Sequence, residues 1–205
     1  MSDKVEIFKY GPEVPDDILA RVLEIKTQYL LNDPGDAKKH PNGFLVGTLD
    51  AAEILGFLKT GGFLYLATVD SEIAAYLLLT DIREFFGYFS TDHSTETSKH
   101  QESAGFVPLE PNIDIFIEMK NNFFIYHVAT SPKFSRLGLG SQLLKRIYSD
   151  FPGKGFTADI LIKPVFNETS ISFFKKNGFH DVGDINYSGY KSFGDLTTRV
   201  LWKKP

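Results

Sequence analysis

Between a strand-like run and a helix-like run stand Ser135-Arg136-Leu137-Gly138-Leu139-Gly140-Ser141, residue types suited to holding an anion. Gly138 and Gly140 lack Cβ atoms, so the chain can turn tightly and several peptide N–H groups can converge on one ligand. The helix that follows presents the positive end of its dipole. Arg136 adds a fixed charge and a planar array of donors that matches phosphate oxygens. Arg136, Leu137, Gly138, Leu139, Gly140 and Ser141 therefore predict a phosphate or pyrophosphate cradle; the plainer alternative is a helix-entry turn. A Rossmann site would need a third glycine at the right spacing, and Gly153-Lys154-Gly155 lacks the rest of a Walker A loop.

A second group of chemically able residues lies just upstream, in Phe123 to Thr130. An unperturbed histidine is a competent base near neutrality, which makes His127 a candidate, and Tyr126 could order a water. Strand alternation sends Tyr126 and His127 to opposite faces, with Tyr126 sharing the face of Val128 and Thr130. The N–H of Val128 can polarise a carbonyl without any special side chain. His127 also suits a packed strand residue, and Asn167 suits a helix cap. The five histidines, His40, His93, His100, His127 and His180, never come together at ligand spacing, and there is no H-E-x-x-H helix, so no metal is expected. Absence of cysteine excludes thiol chemistry and disulfides.

The chain has 205 residues with 42% hydrophobic and 23% charged, the balance of a globular protein that can bury its own core. A net charge of -4 argues against a duplex nucleic-acid binder, which would carry a basic face. Met1 to Tyr10 lacks the apolar core of a signal peptide and no later stretch approaches a membrane span, so a cytoplasmic location is expected.

These residues need a scaffold, and the pattern supplies one. Val5 to Tyr10 reads as a strand, and Ile18, Leu19, Val22, Leu23, Ile25 and Leu30 mark an amphipathic helix that Asn32 to Asn42 ends. Asp50 or Thr48 can cap a second helix running to Lys59. Phe63 to Val69 and Ile73 to Thr80 predict a hairpin around Asp70-Ser71-Glu72. The aromatic cluster Phe85, Phe86, Tyr88 and Phe89 then opens an insertion at about 83–112, with a polar run from Ser90 to Ser103: a lid over an acceptor site or a variable surface loop. Ile113 to Lys120 fits a strand or a short helix. Phe123 to Thr130 predicts a strand, Ser141 to Tyr148 a helix, Thr157 to Ile162 a strand and Glu168 to Lys176 a helix, with a closing hairpin from Phe179 through Trp202. Without an internal repeat or linker, 1–205 reads as one domain.

Two motifs in register resemble the GNAT superfamily of acyl-CoA-dependent N-acetyltransferases. Ser135 to Gly140 matches that family's loop (Gln or Arg, two free positions, Gly, one free position, Gly or Ala) in all but its first residue. Asn167, Ser170, Phe173, Lys176, Gly178 and Phe179 fit its following helix, with Phe174 where the family usually has tyrosine. The resemblance implies an α/β (α+β) fold whose central sheet, of about six to seven strands, is mixed and mostly antiparallel, flanked by helices and splayed at its centre. It further implies that acetyl-CoA is the co-substrate, that Val128 and Thr130 bond its pantetheine arm, and that Arg136 to Ser141 hold the pyrophosphate. Asn167, Phe173 and Phe174 would sit by the thioester. The acceptor would be a primary amine of a small molecule or an amino terminus. Two departures stand out: Phe174 cannot protonate a leaving thiolate, and β-strand 123–130 carries no carboxylate. Both favour the alternative of a non-catalytic acyl-CoA binding or sensing module. A homodimer is compatible with the sequence.

Overall fold

The computed structural model describes residues 4–47, 49–82, 104–109, 122–190 and 193–205. Its elements in chain order are β1 (Val5–Tyr10), α1 (Asp16–Thr27), α2 (Ala51–Lys59), β2 (Phe63–Val69), β3 (Glu72–Asp81) and β4 (Ala104–Pro108). There follow β5 (Phe123–Thr130), α3 (Leu139–Asp150), β6 (Phe156–Lys163), α4 (Glu168–Lys176), β7 (His180–Tyr190) and β8 (Gly194–Lys203).

Local chemistry explains the boundaries. Asp50 caps α2: its carboxylate accepts the Glu53 N–H at 2.8 Å while the Glu53 side chain accepts the Asp50 N–H at 2.8 Å; Thr48, the alternative cap, lies outside the described residues. Asp70 and Ser71 both take positive φ, 48° and 71°, the tight turn whose twist suits antiparallel strands. Helix α3 buries Leu139, Leu143, Leu144 and Ile147, one stripe at helical spacing.

The strands form one sheet in the order β1-β2-β3-β5-β6-β8-β7-β4. All neighbours are antiparallel except β5 and β6, which run parallel. On one face Leu19, Val22 and Ile25 of α1 and Ile54 and Leu58 of α2 pack on Leu64, Leu66, Tyr76 and Leu78. On the other, Leu143, Leu144 and Ile147 of α3 and Ile171 and Phe174 of α4 pack on Tyr65, Ala67, Leu77, Leu79 and Ile125. Each large apolar side chain so buried contributes about 1.5–3 kcal/mol, which fixes the sheet between the two helical layers.

Among the described residues the sheet has eight strands, beyond the six to seven expected, because the stretch read as an insertion contains β4. That strand pairs with β7 (Phe106 opposite Ile185), and the Phe106 ring lies so close over Gly183 that a Cβ there would fall 2.3 Å from it. Phe85, Phe86, Tyr88, Phe89, the run Ser90 to Ser103, Ile113 to Lys120, His93 and His100 lie outside the described residues. Among the described residues no helix is long and apolar enough to cross a membrane.

Candidate active site

Strands β5 and β6 pair only at Phe123 with Phe156, Phe124 with Thr157 and Ile125 with Ala158. Beyond that point the ladder opens into a cavity of about 210 Å³, bounded by Tyr126, His127 and Val128 on β5 and by Asp159, Ile160 and Leu161 on β6. A second cavity of about 300 Å³ runs from the gap to the glycine loop. Phe44, Leu45, Val128, Ser170 and Phe174 line both, which makes them one channel.

Two fixed points give the direction of the β5 backbone. Phe123 N–H donates to the Gly155 carbonyl (3.0 Å) on the β6 side, whereas Ser131 N–H donates to the Ala74 carbonyl (2.7 Å) on the β3 side. Strict alternation would turn these two residues to the same edge. One residue must be out of step, and the register identifies it: Leu78 pairs with His127 and Leu79 with Ile125, leaving Tyr126 as a bulge. Counting back from Ser131, Val128 and Thr130 turn their N–H and C=O groups toward the gap. The Thr130 carbonyl already accepts the Tyr29 hydroxyl at 2.6 Å.

The same bulge corrects the expectation that Tyr126 and His127 face opposite ways. Both lie on the α1/α2 side, their ring centroids 5.0 Å apart, and Tyr126 packs on Phe57 of α2 at 4.7 Å. Val128 pairs with Leu77 and packs on the other face. Tyr126 therefore does not share the face of Val128, because the extra residue cancels the alternation at that point.

At the other end of the channel, Gly138 is the N-cap of α3 with φ 70°, and among the described residues no side-chain cap is present at that terminus. A Cβ on Gly138 would meet nothing within 4 Å, so the left-handed dihedral alone calls for glycine there. Gly140 is different: a Cβ would lie 3.1 Å from the Phe173 ring, so its absence lets α3 and α4 close together. Arg136 is also left-handed, with φ 69°, a conformation that costs a non-glycine residue about 1–2 kcal/mol. Arg136, Gly138, Leu139, Gly140 and Ser141 line the second cavity, while Leu137 is an exposed side chain outside that lining. An uncapped helix start, a cation and a backbone without Cβ obstruction suit a pyrophosphate.

Asn167 is buried and employed within the protein. Its Oδ1 accepts the Ser170 N–H (3.3 Å), capping α4, and its Nδ2 donates to the Phe44 carbonyl (2.8 Å). Thr169 Oγ1 adds a bond to the Pro41 carbonyl at 3.3 Å. These tie the α1–α2 connection, which carries Phe44 and Leu45 into the channel, to the start of α4. Phe174 is buried in the core beneath the channel, its ring edge-on to Phe173 and Phe179.

His127 does not have the environment of a base. It is 5% exposed, and burial, aided by the nearby Lys26 charge, lowers its pKa to about 3. The imidazole is neutral at any ordinary pH and borders the Tyr76 hydroxyl at 3.5 Å. The titrating group of the cavity is one the sequence reading missed, Asp159. Its Oδ2 accepts the Tyr187 hydroxyl at 3.2 Å. Its Oδ1 is shielded from solvent, and the Thr198 hydroxyl stands beside the carboxyl. Burial pushes the Asp159 carboxyl up to about 7, against the opposing influence of the Thr198 and Tyr187 hydroxyls and with a smaller push in the same direction from the Asp184 charge. Burial and the adjacent Asp159 hold the Tyr187 phenol far above its ordinary range. A signal was present: Asp159 is the one acidic residue in the otherwise uncharged run Phe156-Thr157-Ala158-Asp159-Ile160-Leu161-Ile162.

The family model for the acetyltransferase (GNAT) family matches residues 24–179, and the chain belongs to that family. No curated protein matches it. Among solved structures it is similar to the ribosomal-protein-S18-alanine N-acetyltransferase of Escherichia coli, at 10% identity over 97% of this chain and 94% of that one, TM-score 0.57. It is similar to yncA of Salmonella typhimurium, solved with its cofactor acetyl-CoA, at 15% identity over 98% and 93%, TM-score 0.57. A GNAT-family acetyltransferase of Streptococcus agalactiae shares 16% identity over 98% and 95%, TM-score 0.58. At such identities the likeness is one of fold.

Proposed function

We propose that this protein transfers the acetyl group of acetyl-CoA to a primary amine of a small molecule or an amino terminus. The observation that carries the reading is the continuity of the channel: an uncapped, glycine-built helix start at one end and an opened strand pair with a titratable carboxyl at the other. Family membership and a fold shared with a protein solved with acetyl-CoA support it. The N–H groups that open α3, with Arg136, hold the pyrophosphate. Val128 and Thr130 bond the pantetheine arm as an added strand, and Val128 N–H polarises the thioester carbonyl. Phe173 and Phe174 shield the thioester end from water. Asn167 acts there by fixing the start of α4 against Phe44.

Phe174 favours the second reading, a non-catalytic acyl-CoA binding module, because its ring brings no proton to the channel. Turnover separates the two. Calorimetric titration with acetyl-CoA is expected to show binding by the parent protein and none by an Arg136→Ala, Gly138→Trp double variant. Free-thiol release with an amine panel is expected to follow. A parent that binds neither acetyl-CoA nor CoA overturns the assignment; binding without release for any amine selects the module.

A further inference from the structure

The reaction end of the channel is chemically lopsided. Asp159 is its one charged side chain among the described lining residues, since His127 is buried neutral. Its walls are apolar and aromatic, with Phe44, Phe124, Tyr126, Tyr187 and Leu196 among them. Asp159, Tyr187 and Thr198 all line this space, with the Thr198 and Tyr187 hydroxyls beside the Asp159 carboxyl. Asp159 lies opposite Val200 in the β6–β8 register, so Thr198, two positions from Val200 on β8, shares its face. A carboxylate with hydroxyls at its side, the one charge in an apolar cavity, is an acceptor that an entering amine N–H can meet.

We propose that Asp159 takes the proton from the attacking amine, with Tyr187 as its positioning residue, and that the acceptor is a small primary amine on an apolar or aromatic body without an anionic group. The proposal rests on the acetyltransferase reading above. The amine nitrogen forms its bond to the thioester carbonyl carbon and gives a proton to the Asp159 carboxylate. The carbon–sulfur bond breaks, the thiolate leaves with the electron pair and takes a proton from solvent, and Asp159 returns its proton to solvent. Both expected departures are thereby met: the carboxylate is on the neighbouring strand rather than on β5, and no hydroxyl is needed at Phe174. A carboxyl near neutrality divides its time between both forms at working pH, the condition for an effective base. An amino acid would bring its own carboxylate into a cavity whose described lining offers no cation, beside a like charge.

The test uses phenethylamine, phenylalanine and spermidine with the parent, Asp159→Asn and Tyr187→Phe proteins. Phenethylamine is expected to be the preferred acceptor. Asp159→Asn is expected to bind acetyl-CoA as the parent does but to lose about 100-fold or more in kcat/KM, along with the inflection near pH 7. Tyr187→Phe, which removes a bond to the carboxylate, is expected to move that inflection to higher pH. A readout independent of turnover and of variant folding is the carboxyl-carbon NMR titration of Asp159 in the parent, expected near 7. An Asp159→Asn protein within threefold of the parent, a carboxyl titrating at the ordinary value, a preference for phenylalanine or spermidine, or no turnover of phenethylamine by a parent that binds acetyl-CoA each overturns the proposal. Failure of the parent to bind acetyl-CoA overturns the underlying reading instead.

Discussion

Tyr126 and His127 are adjacent in sequence yet lie on the same side of the sheet, with ring centroids 5.0 Å apart. The bulge that brings them together buries the imidazole against Tyr76 while leaving Tyr126 at the cavity wall.

Acid stability follows from that burial. The folded pKa of His127, about 3, is below its ordinary value, so the unfolded chain binds the extra proton and stability falls as pH drops from about 6.5 to 3. Asp159 acts with the opposite sign: its folded pKa is raised, so its contribution is full below the ordinary carboxylate range and is lost as pH rises to about 7. Each proton of difference is worth about 1.4 kcal/mol per pH unit. The two effects oppose each other between pH 7 and 5; His127→Gln removes only the first, so its melting temperature is expected to rise relative to the parent's as pH falls through that window. Parallel curves would mean that the imidazole is not held neutral.

The two glycines should fail differently. Gly140→Ala forces the Phe173 ring to move, at about 1–3 kcal/mol, and should weaken acetyl-CoA binding with it. At Gly138 only the dihedral is at stake, so Gly138→Asn, which tolerates positive φ, should melt close to the parent and Gly138→Val well below it. Melting curves that ranked Asn with Val would argue that space, not dihedral, limits this position.

Removing Asn167 breaks two bonds at once. Asn167→Ala is expected to lose about 1 kcal/mol for the cap and about 1–3 kcal/mol for the orphaned Phe44 carbonyl. Asn167→Ser keeps an acceptor for the cap but cannot reach Phe44, and should recover only the first part. Urea unfolding of the three proteins gives the comparison, and full recovery by serine would remove the tether from the account.

Arg136 should act through charge. Arg136→Ala is expected to weaken acetyl-CoA binding about 10- to 100-fold, the worth of one charge-assisted bond. The variant should also show a shallower dependence on ionic strength than the parent. Equal salt slopes would show that the guanidinium does not reach the phosphates.

Much of this was legible in the sequence where the pattern is local. Phe123–Thr130 and Glu168–Lys176 form with their expected limits because each is bounded by strong signals, Ser131-Pro132 after one and Asn177-Gly178 after the other. The turn at the glycine loop was equally readable, since Gly138 and Gly140 stand directly at the start of the helix they open. The faces of Tyr126 and His127 were not, because a bulge depends on the register with β3 and leaves no mark on β5 itself. Asp159 was missed for a related reason. It meets Tyr187 only through β8, which lies between β6 and β7 in the sheet, and the two residues are 28 positions apart in the chain.

The short ladder between β5 and β6 makes the sheet an open book. One leaf is β1-β2-β3-β5, the other β6-β8-β7-β4, and the spine is three residue pairs long. On the proposed binding mode, a molecule bonded along Val128 and Thr130 and held by the far leaf would act as a clasp, so that occupancy would govern how stiffly the leaves move together. Amide exchange at the inner margins of both leaves should then slow in concert on loading, and the opening of the binding site becomes inseparable from the breathing of the sheet.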